Sequence, residues 1–403
     1  MTESVHTVTT LPTARQAGCP FDPPAELTEA RSHGPISRLT HLAPGGKPGW
    51  LITGYDLVRS VLADSRFSSR KDLMNLVDFE LPPAPPGEFL LMDEPQHSRY
   101  RKPLVGKFTA RRMRLLSERI EQITAECLDA MEEAGPAGDG QPVDLVTAFA
   151  KPIPTIIICE ILGVPYEDRA SFQEQIDKFM NGEVSEEELI AAYTATQQYL
   201  EQLVAAKRAH PTDDVLSELT DSDLTDEELK GIGLILLAAG FDTTANMLSL
   251  GTFALLENPA QLAALRADPG LIDQTVEELL RYLSVGKSFM RTALEDVELD
   301  GQTIEAGTTV ILSYHTANHD PERFTDPQVL DIHRKDGGHL AFGHGIHLCL
   351  GQQLARVEMR VALAALVQRF PTLRLAVPAD EVGLRPETAD IYGVKNLPVT
   401  WGV

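Results

Sequence analysis

The chain has 403 residues, of which 43% are hydrophobic and 23% charged, and its net charge is −24. This length is enough to bury a large core, and the composition is that of an ordinary globular enzyme. Because nucleic-acid-binding proteins are usually basic, the acidic balance argues against that class. The polar start "MTESVHTVTT" predicts no signal peptide, and no uninterrupted apolar run reaches the roughly 20 residues that cross a bilayer. We therefore expect a soluble, cytoplasmic protein.

The amino-terminal part combines loops with short β segments. The stretch "GWLITGY" at residues 49–55 is apolar and predicts a strand. The stretch "LPPAPPGEF" at residues 81–89 cannot form a regular helix, because proline lacks the amide donor and clashes with the preceding turn. From about residue 97 to 285 the apolar periodicity predicts helices.

The longest predicted helix begins in "TDEE", where Thr225 is the expected N-cap and Glu228 completes a capping box. It continues for about 30 residues that are apolar nearly all round, which predicts a helix buried in the middle of the molecule. Asp242 and Thr243 interrupt this apolar background. Either the helix reaches the surface there, or it opens near Gly240 and the acid and alcohol line a groove that delivers protons.

A second β region begins near Arg291, and Asp300-Gly301 predicts a two-residue hairpin turn. We expect a mainly α protein with a small β component, organised as one catalytic domain over residues 1–403. The β-rich parts are expected near 36–60, 291–315 and 385–403, and the helical core at about 97–285 and 350–370.

Two short motifs combine charges at helical spacing. In "HSRYR", His97 and Arg101 lie at i, i+4 on one helix face, and no acid occurs from His97 to Ser117. Such a basic segment can be a solvated face, can hold the carboxylates of a cofactor, or can dock an acidic partner. In "EELLR", Glu278 and Arg281 lie at i, i+3, a pair that is usually a weak surface contact.

The stretch "FGHGIHLCLG" at residues 342–351 allows three interpretations. His344, His347 and Cys349 could bind zinc, but the spacing is tight and no fourth ligand lies nearby. Cys349 could also be a buried structural thiol. Alternatively, the glycines let the backbone close around the sulfur, so that N–H groups at the start of the next helix stabilise a thiolate. Such a thiolate is a suitable axial ligand for haem iron.

The same ten residues match the haem-thiolate pattern F-x-x-G-x-x-x-C-x-G, and the chain resembles the cytochrome P450 superfamily. The helix with His97 and Arg101, the central "AGFDTT", the E-x-x-R pair and the cysteine loop follow that family's order. The chain looks most similar to soluble actinobacterial members that tailor natural products or oxidise xenobiotics. The resemblance implies the cytochrome P450 fold, with haem b between the long central helix and the helix after the cysteine loop.

The resemblance also implies roles for single residues around the haem. Cys349 would be the proximal iron ligand, with Phe342 packed near its sulfur and Gly351, like Gly343 and Gly345, permitting the turn. The residues at propionate-binding positions are His97, Arg101, Arg291 and His347.

Two further pairs acquire roles through the resemblance. Asp242 and Thr243 match the catalytic acid–alcohol pair that delivers protons. Glu278 and Arg281 match a structural pair whose third member is Arg323 or Arg334.

Positions over the haem in the family fall mostly on apolar residues here, which implies a mainly apolar small-molecule substrate. The candidate pocket residues are Phe89, Leu90, Phe179, Ala239, Thr244, Lys287, Phe289 and Ile391. Lys287 departs from the apolar pattern, so it either extends to solvent or contacts a polar group of the substrate.

The implied reaction is monooxygenation with O2, such as hydroxylation in antibiotic biosynthesis. The alternatives are epoxidation, ring formation or oxidative coupling in the same family, or a haem-binding sensor or carrier. Because no flavin or ferredoxin-like segment is evident, a separate ferredoxin and ferredoxin reductase would supply electrons. We expect the ferredoxin to dock at the basic stretch from Arg99 to Arg114, and the enzyme to be a monomer.

Overall fold

The computed structural model describes residues 5–15, 20–76, 79–108, 110–136, 141–181, 185–387 and 389–402, without the side chains at 110–115, 173, 176, 177 and 179–181. Helices dominate this part of the chain, as the sequence predicts. They are α1 (Ala25–His33), α2 (Tyr55–Ala63), α3 (Gln96–Val105), α4 (Ala110–Ala134), α5 (Pro152–Leu162), α6 (Arg169–Asn181), α7 (Glu186–Ala209), α8 (Val215–Thr220), α9 (Asp226–Glu257), α10 (Pro259–Ala267), α11 (Ile272–Leu283), α12 (Tyr314–Ala317) and α13 (Gln352–Arg369).

The strands are short, and among the described residues none lies between Asp144 and Ser288. They are β1 (Thr7–Val8), β2 (Ile36–Leu39), β3 (Gly49–Ile52), β4 (Phe67–Ser68), β5 (Val143–Asp144), β6 (Ser288–Ala293), β7 (Val297–Leu299), β8 (Gln302–Ile304), β9 (Thr309–Ser313), β10 (Arg374–Leu375) and β11 (Pro398–Thr400). Among the described residues they form sheets in the orders β1-β2-β3-β9-β6-β4, β10-β11-β5 and β7-β8. The main sheet therefore joins the amino-terminal strands to the segment that precedes the cysteine loop.

Three local β predictions have different outcomes. The hairpin at Asp300-Gly301 is confirmed: both residues have positive φ, 50° and 72°, and they join β7 to β8. The strand predicted over 49–55 ends at Ile52, because α2 already begins at Tyr55. Among the described residues, the predicted β character of 385–403 is limited to β11 and two isolated bridges, Gly286 with Ile391 and Leu384 with Val394.

The central helix α9 begins as predicted. Thr225 accepts a hydrogen bond from the Glu228 amide, and the Glu228 carboxylate accepts one from the Thr225 amide, which completes the capping box. Among the described residues, α9 alone has the length and composition of a membrane-crossing helix, although no single apolar run suggested one. Because 72% of its apolar window is buried inside the protein, it forms the core.

The helix α9 does not open at Gly240, so that expectation is wrong. It continues without a break from Asp226 to Glu257. Gly240 instead allows close packing against α5, because an added Cβ would lie 3.3 Å from Ile158 Cδ1. The Thr243 hydroxyl donates to the Ala239 carbonyl at 2.8 Å, one turn back within the intact helix.

A buried carboxylate links α11 to the segment before the cysteine loop. Glu278 accepts two hydrogen bonds of 2.8 Å from Arg281 and two more, of 3.1 and 3.2 Å, from Arg334 Nε. It also accepts the backbone amide of Asp331 at 3.0 Å. Arg334, and not Arg323, is therefore the third member, since the Arg323 guanidinium bonds to the Gly337 carbonyl.

Removal of the Glu278 charge should destabilise the fold strongly, because two buried guanidinium groups would lose their counter-ion. We expect Glu278→Gln to lower the free energy of unfolding by about 3–5 kcal/mol, measured by urea denaturation. The exposed Glu305 offers a matched control, and Glu305→Gln should leave stability unchanged. Equal stability of the two variants would contradict the structural role of this network.

Candidate active site

The cysteine loop is shaped by two glycines in the left-handed region. Gly343 and Gly345 both have φ of 72°. A Cβ on Gly345 would lie 2.4 Å from the Leu62 carbonyl oxygen, so only glycine lets the loop pack against α2. The Cys349 amide then donates to the Phe342 carbonyl at 2.9 Å and closes the loop. Gly351 has an ordinary φ of −81°, so the turn does not need its conformational freedom.

The Cys349 sulfur lies where backbone amides and cations surround it. Burial raises the pKa of the Cys349 thiol, but the amides of Gly351 and Gln352 and the guanidinium groups of Arg101 and Arg356 act in the opposite direction. These groups stabilise the thiolate, which is the form that binds a metal. Burial has the larger effect on the free thiol, so its pKa is raised overall, and the amides and guanidinium groups limit that rise.

The other described cysteines lie in a different environment. Burial raises the pKa of Cys127 to about 11 and that of Cys159 to about 12, so both are protonated core thiols. Cys19 lies outside the described residues. Within the described ranges, no group of three or more histidines, cysteines and acids could hold a metal ion, so His344, His347 and Cys349 do not converge as zinc ligands.

Four predicted cofactor residues gather beside this loop although three elements supply them. His97 and Arg101 come from α3, Arg291 from β6 and His347 from the loop itself. The rings of His97 and His347 have centroids 4.3 Å apart, and Arg101 Nη2 donates to the Leu348 carbonyl. Together these residues form the basic cluster.

The basic cluster contains buried donors without acceptors. Nε2 of His97, Nη1 of Arg101 and Nδ1 of His347 have no hydrogen-bond partner among the described residues, and Nδ1 of His97 has only a Glu94 carboxylate oxygen 3.6 Å away. Burial lowers the pKa of Arg291, and burial together with the neighbouring cations lowers that of His347 to about 3. Buried polar groups normally have partners, so the cluster fits an anionic group with several acceptor oxygens, as the propionates of haem b provide.

A stripe of residues on α9 is accessible although the helix is buried over most of its surface. Ile235 and Thr243 are half-buried and Ala239 is exposed, although they belong to the core helix. Since i, i+4 and i+8 lie on one helix face, these three residues form one accessible stripe on α9. Thr244 is buried and lies off the stripe, so the structure does not place it in the pocket.

Asp242 is buried and fully paired. Its two carboxylate oxygens accept hydrogen bonds of 2.8 and 2.7 Å from Arg385 Nη1, and Asn246 Nδ2 donates to Oδ1 at 3.0 Å. Asp242 itself therefore does not reach the surface, although the helix is exposed nearby at Ala239. Arg385 lies 143 residues further along the chain, and no local pattern in the sequence indicated this partner.

The remaining pocket candidates are only partly brought together. Phe89 is buried with its ring 6.2 Å from that of His97, Leu90 and Ile391 are half-buried, and Phe289 is 45% exposed and stacked on Tyr314. Lys287 does not extend freely to solvent, because its Nζ donates to the Glu387 carbonyl at 2.7 Å. The side chain of Phe179 lies outside the described parts.

Comparison with known proteins decides the family. The cytochrome P450 family model matches residues 27–194 and 169–375. The chain belongs to the cytochrome P450 family. It is 48% identical to cytochrome P450 105C1 of a Streptomyces species over 94% of this chain and 96% of that protein. It is 42% identical to pentalenic acid synthase of Streptomyces avermitilis, over 95% of each chain. The crystal structure of CYP105P1 in complex with filipin I superposes with a TM-score of 0.89 at 41% identity, over 98% of this chain and 99% of that chain.

Membership confirms the expected cytochrome P450 fold, the haem b cofactor and the monooxygenase class. In this cytochrome P450 the residues that fit the cofactor are Cys349 as the thiolate ligand and the basic cluster as the partner of the propionates. Phe342 is tied to Cys349 through the backbone bond described above, so its ring is held beside the loop.

Sequence reasoning missed four residues around this site. They are Arg385, which holds Asp242, and Glu277, His339 and Arg356, which surround the start of the cysteine loop. Glu277 stands next to Glu278 in the recognised motif, but nothing in its spacing indicated a partner 79 residues away. Long-range ion pairs leave no periodic pattern in a sequence.

The basic cluster should control how tightly haem is held. We expect Arg291→Ala to release haem to apomyoglobin about tenfold faster or more, since one charge-assisted hydrogen bond contributes about 1.5–3 kcal/mol. Arg323→Ala is the control, because that arginine bonds to the Gly337 carbonyl away from the cluster. Unchanged release from the Arg291 variant would contradict this assignment.

Proposed function

We propose that this protein inserts one oxygen atom of O2 into a mainly apolar small molecule of the secondary-metabolite or xenobiotic class. The observation that carries the proposal is the position of Asp242 and Thr243. The alcohol lies on the open stripe of a core helix, while the adjacent acid is buried and held by Arg385. A buried, hydrogen-bonded acid next to an alcohol on the accessible stripe suits proton delivery.

The haem supplies oxygen activation when it is bound, and the chain supplies the protons. In this structure the Thr243 hydroxyl donates a hydrogen bond to the Ala239 carbonyl. Its oxygen can still accept a hydrogen bond from a water molecule or another donor. The Asp242 carboxylate contacts Arg385, which belongs to the segment before β11. Proton transfer from that side to Thr243 requires rotation of Asp242 away from Arg385.

The side chains at the candidate pocket positions support the proposed substrate class. Ala239, Phe289 and Ile391 are apolar, and the Lys287 amine is occupied by a backbone carbonyl. Filipin I, named in the related crystal structure, and the product named in pentalenic acid synthase support an actinobacterial natural product as substrate. Hydroxylation is our first candidate, while epoxidation, ring formation and oxidative coupling would use the same residues. The paired acid and alcohol argue against a sensor or carrier.

One set of experiments tests the proposed reaction. The reduced carbon monoxide complex should give the strongly red-shifted Soret band of thiolate-ligated haem, and substrates can be found by screening natural products for a type I spin shift. Isotopically heavy O2 should place one heavy atom in the product. Consistent failure to label any product of a binding compound would overturn the monooxygenase reaction, whatever the spectrum shows.

The acid–alcohol pair should couple electron use to product formation. We expect Thr243→Ala to keep the carbon monoxide spectrum but to divert most electrons to hydrogen peroxide, because proton delivery becomes misdirected. Product and peroxide are measured per NADPH consumed. Thr244→Ala is a matched control, since that threonine is buried off the stripe, and it should stay coupled. Equal coupling in the two variants would contradict the role of Thr243.

We also propose a revised docking surface for the external ferredoxin. In the basic stretch, Arg99 pairs with Glu228 and Lys107 with Glu218, while the side chains of Arg111, Arg112 and Arg114 lie outside the described parts. Cations remain exposed nearer the cysteine loop. They are Arg59 on α2 and Lys102 on α3, and the exposed apolar residues Val105 and Ile346 accompany them. An acidic partner docked here would lie close to Cys349.

Charge reversal tests this surface. The double variant Arg59→Glu/Lys102→Glu should slow reduction by ferredoxin about tenfold or more at low salt and flatten its salt dependence. The variant Arg374→Glu reverses an exposed cation on β10 and should have little effect. Identical rates and salt slopes in the two proteins would exclude this docking surface. A cytoplasmic monomer remains our proposal for the enzyme's location and state.

A further inference from the structure

Glu277 and Glu278 are neighbours on α11 but serve different loops. Glu278 is buried and holds Arg281 and Arg334, as described above. Glu277 is 45% exposed and turns toward the cysteine loop, where its carboxylate accepts hydrogen bonds from Arg356 Nε at 2.6 Å and Arg356 Nη2 at 3.0 Å. His339 Nε2 lies 3.1 Å from its Oε2.

Arg356 connects this carboxylate to both ends of the cysteine loop. Its guanidinium carbon lies 4.6 Å from the centroid of the Phe342 ring, a cation–π contact at the start of the loop. Its Nη1 also donates to the side-chain oxygen of Gln352 at 3.0 Å, in the first turn of α13. His339 adds a second ring 6.0 Å from Phe342. Cys349 lies between these attachment points.

The charges in this arrangement are fixed near neutral pH. Burial raises the pKa of Glu277, but the contacts with His339 and Arg356 outweigh burial and bring it to about 2. Arg356 is always protonated. The Cys349 sulfur therefore lies within electrostatic range of the Arg356 guanidinium group, whose charge the Glu277 carboxylate balances.

We propose that Glu277, His339 and Arg356 form a bracket that sets the electrostatic potential at the Cys349 sulfur and so tunes the reduction potential of the haem. The proposal rests on the haem-thiolate site described above. Reduction adds one negative charge to the haem–thiolate unit, so a nearby positive charge favours reduction and a negative charge opposes it. Glu277 and Arg356 act as positioning residues, because neither needs to touch the reacting atoms.

The two charges predict opposite shifts when each is removed alone. Glu277→Gln leaves Arg356 unbalanced and should raise the reduction potential. Arg356→Gln leaves Glu277 unbalanced and should lower it. Each change should shift the ratio of reduced to oxidised haem at a fixed applied potential by several-fold, measured by spectroelectrochemical titration. The double variant should return close to the potential of the unaltered enzyme.

A purely structural role gives a different pattern. Loosening of the loop would move both single variants in the same direction and would add their effects in the double variant. Arg356→Lys keeps the charge and should retain most of the original potential, which serves as rescue. Arg369→Gln removes another arginine of α13 that is paired with Glu132 on the surface, and it should leave the potential unchanged.

The carbon monoxide spectrum separates this proposal from the haem-thiolate assignment itself. Loss of the red-shifted band in the unaltered enzyme would refute thiolate ligation, not the bracket. With the band intact, shifts of the same sign in Glu277→Gln and Arg356→Gln, or no shift in either, would overturn the bracket. If Arg356→Gln fails to fold, an unchanged potential in Glu277→Gln alone has the same consequence.

Discussion

The site depends on a group of buried cations and donors that the described chain does not satisfy. Arg101, Arg291, His97 and His347 converge from α3, β6 and the cysteine loop, yet several of their nitrogens have no acceptor among the described residues. Burial of such groups without partners costs free energy. Haem propionates would supply the missing negative charge if they bind here, and cofactor binding would then be coupled to the stability of the region.

The helix α11 organises the surroundings of the haem ligand through two adjacent carboxylates. Glu278 anchors the segment that leads to the cysteine loop, and Glu277 holds the outer side of that loop through Arg356. One helix thus fixes where the cysteine lies and balances the charge beside it. Glu278 is buried between two guanidinium groups, whereas Glu277 is partly exposed, so the first affects stability most and the second affects electrostatics most.

Two sides of the central helix α9 have different surroundings. Most of its surface is packed in the core, and the stripe of Ile235, Ala239 and Thr243 is accessible. Asp242 points away from that stripe and pairs with Arg385 in the segment that also approaches Lys287 through Glu387. The same carboxy-terminal segment therefore contacts both Asp242 and Lys287, which would connect substrate contacts to proton delivery in the proposed reaction.

The sequence by itself determined the features that depend on local spacing. These are the buried helix with its capping box, the hairpin at Asp300-Gly301, the glycine-rich cysteine loop and the i, i+3 pair of Glu278 and Arg281. Only the tertiary structure decided between Arg323 and Arg334, gave Asp242 its partner Arg385, left α9 closed at Gly240 and removed Thr244 from the pocket. Helix periodicity, caps and turns arise from bonds between near neighbours, so a sequence displays them. Ion pairs between distant segments depend on how whole elements pack, and no spacing along the chain encodes them.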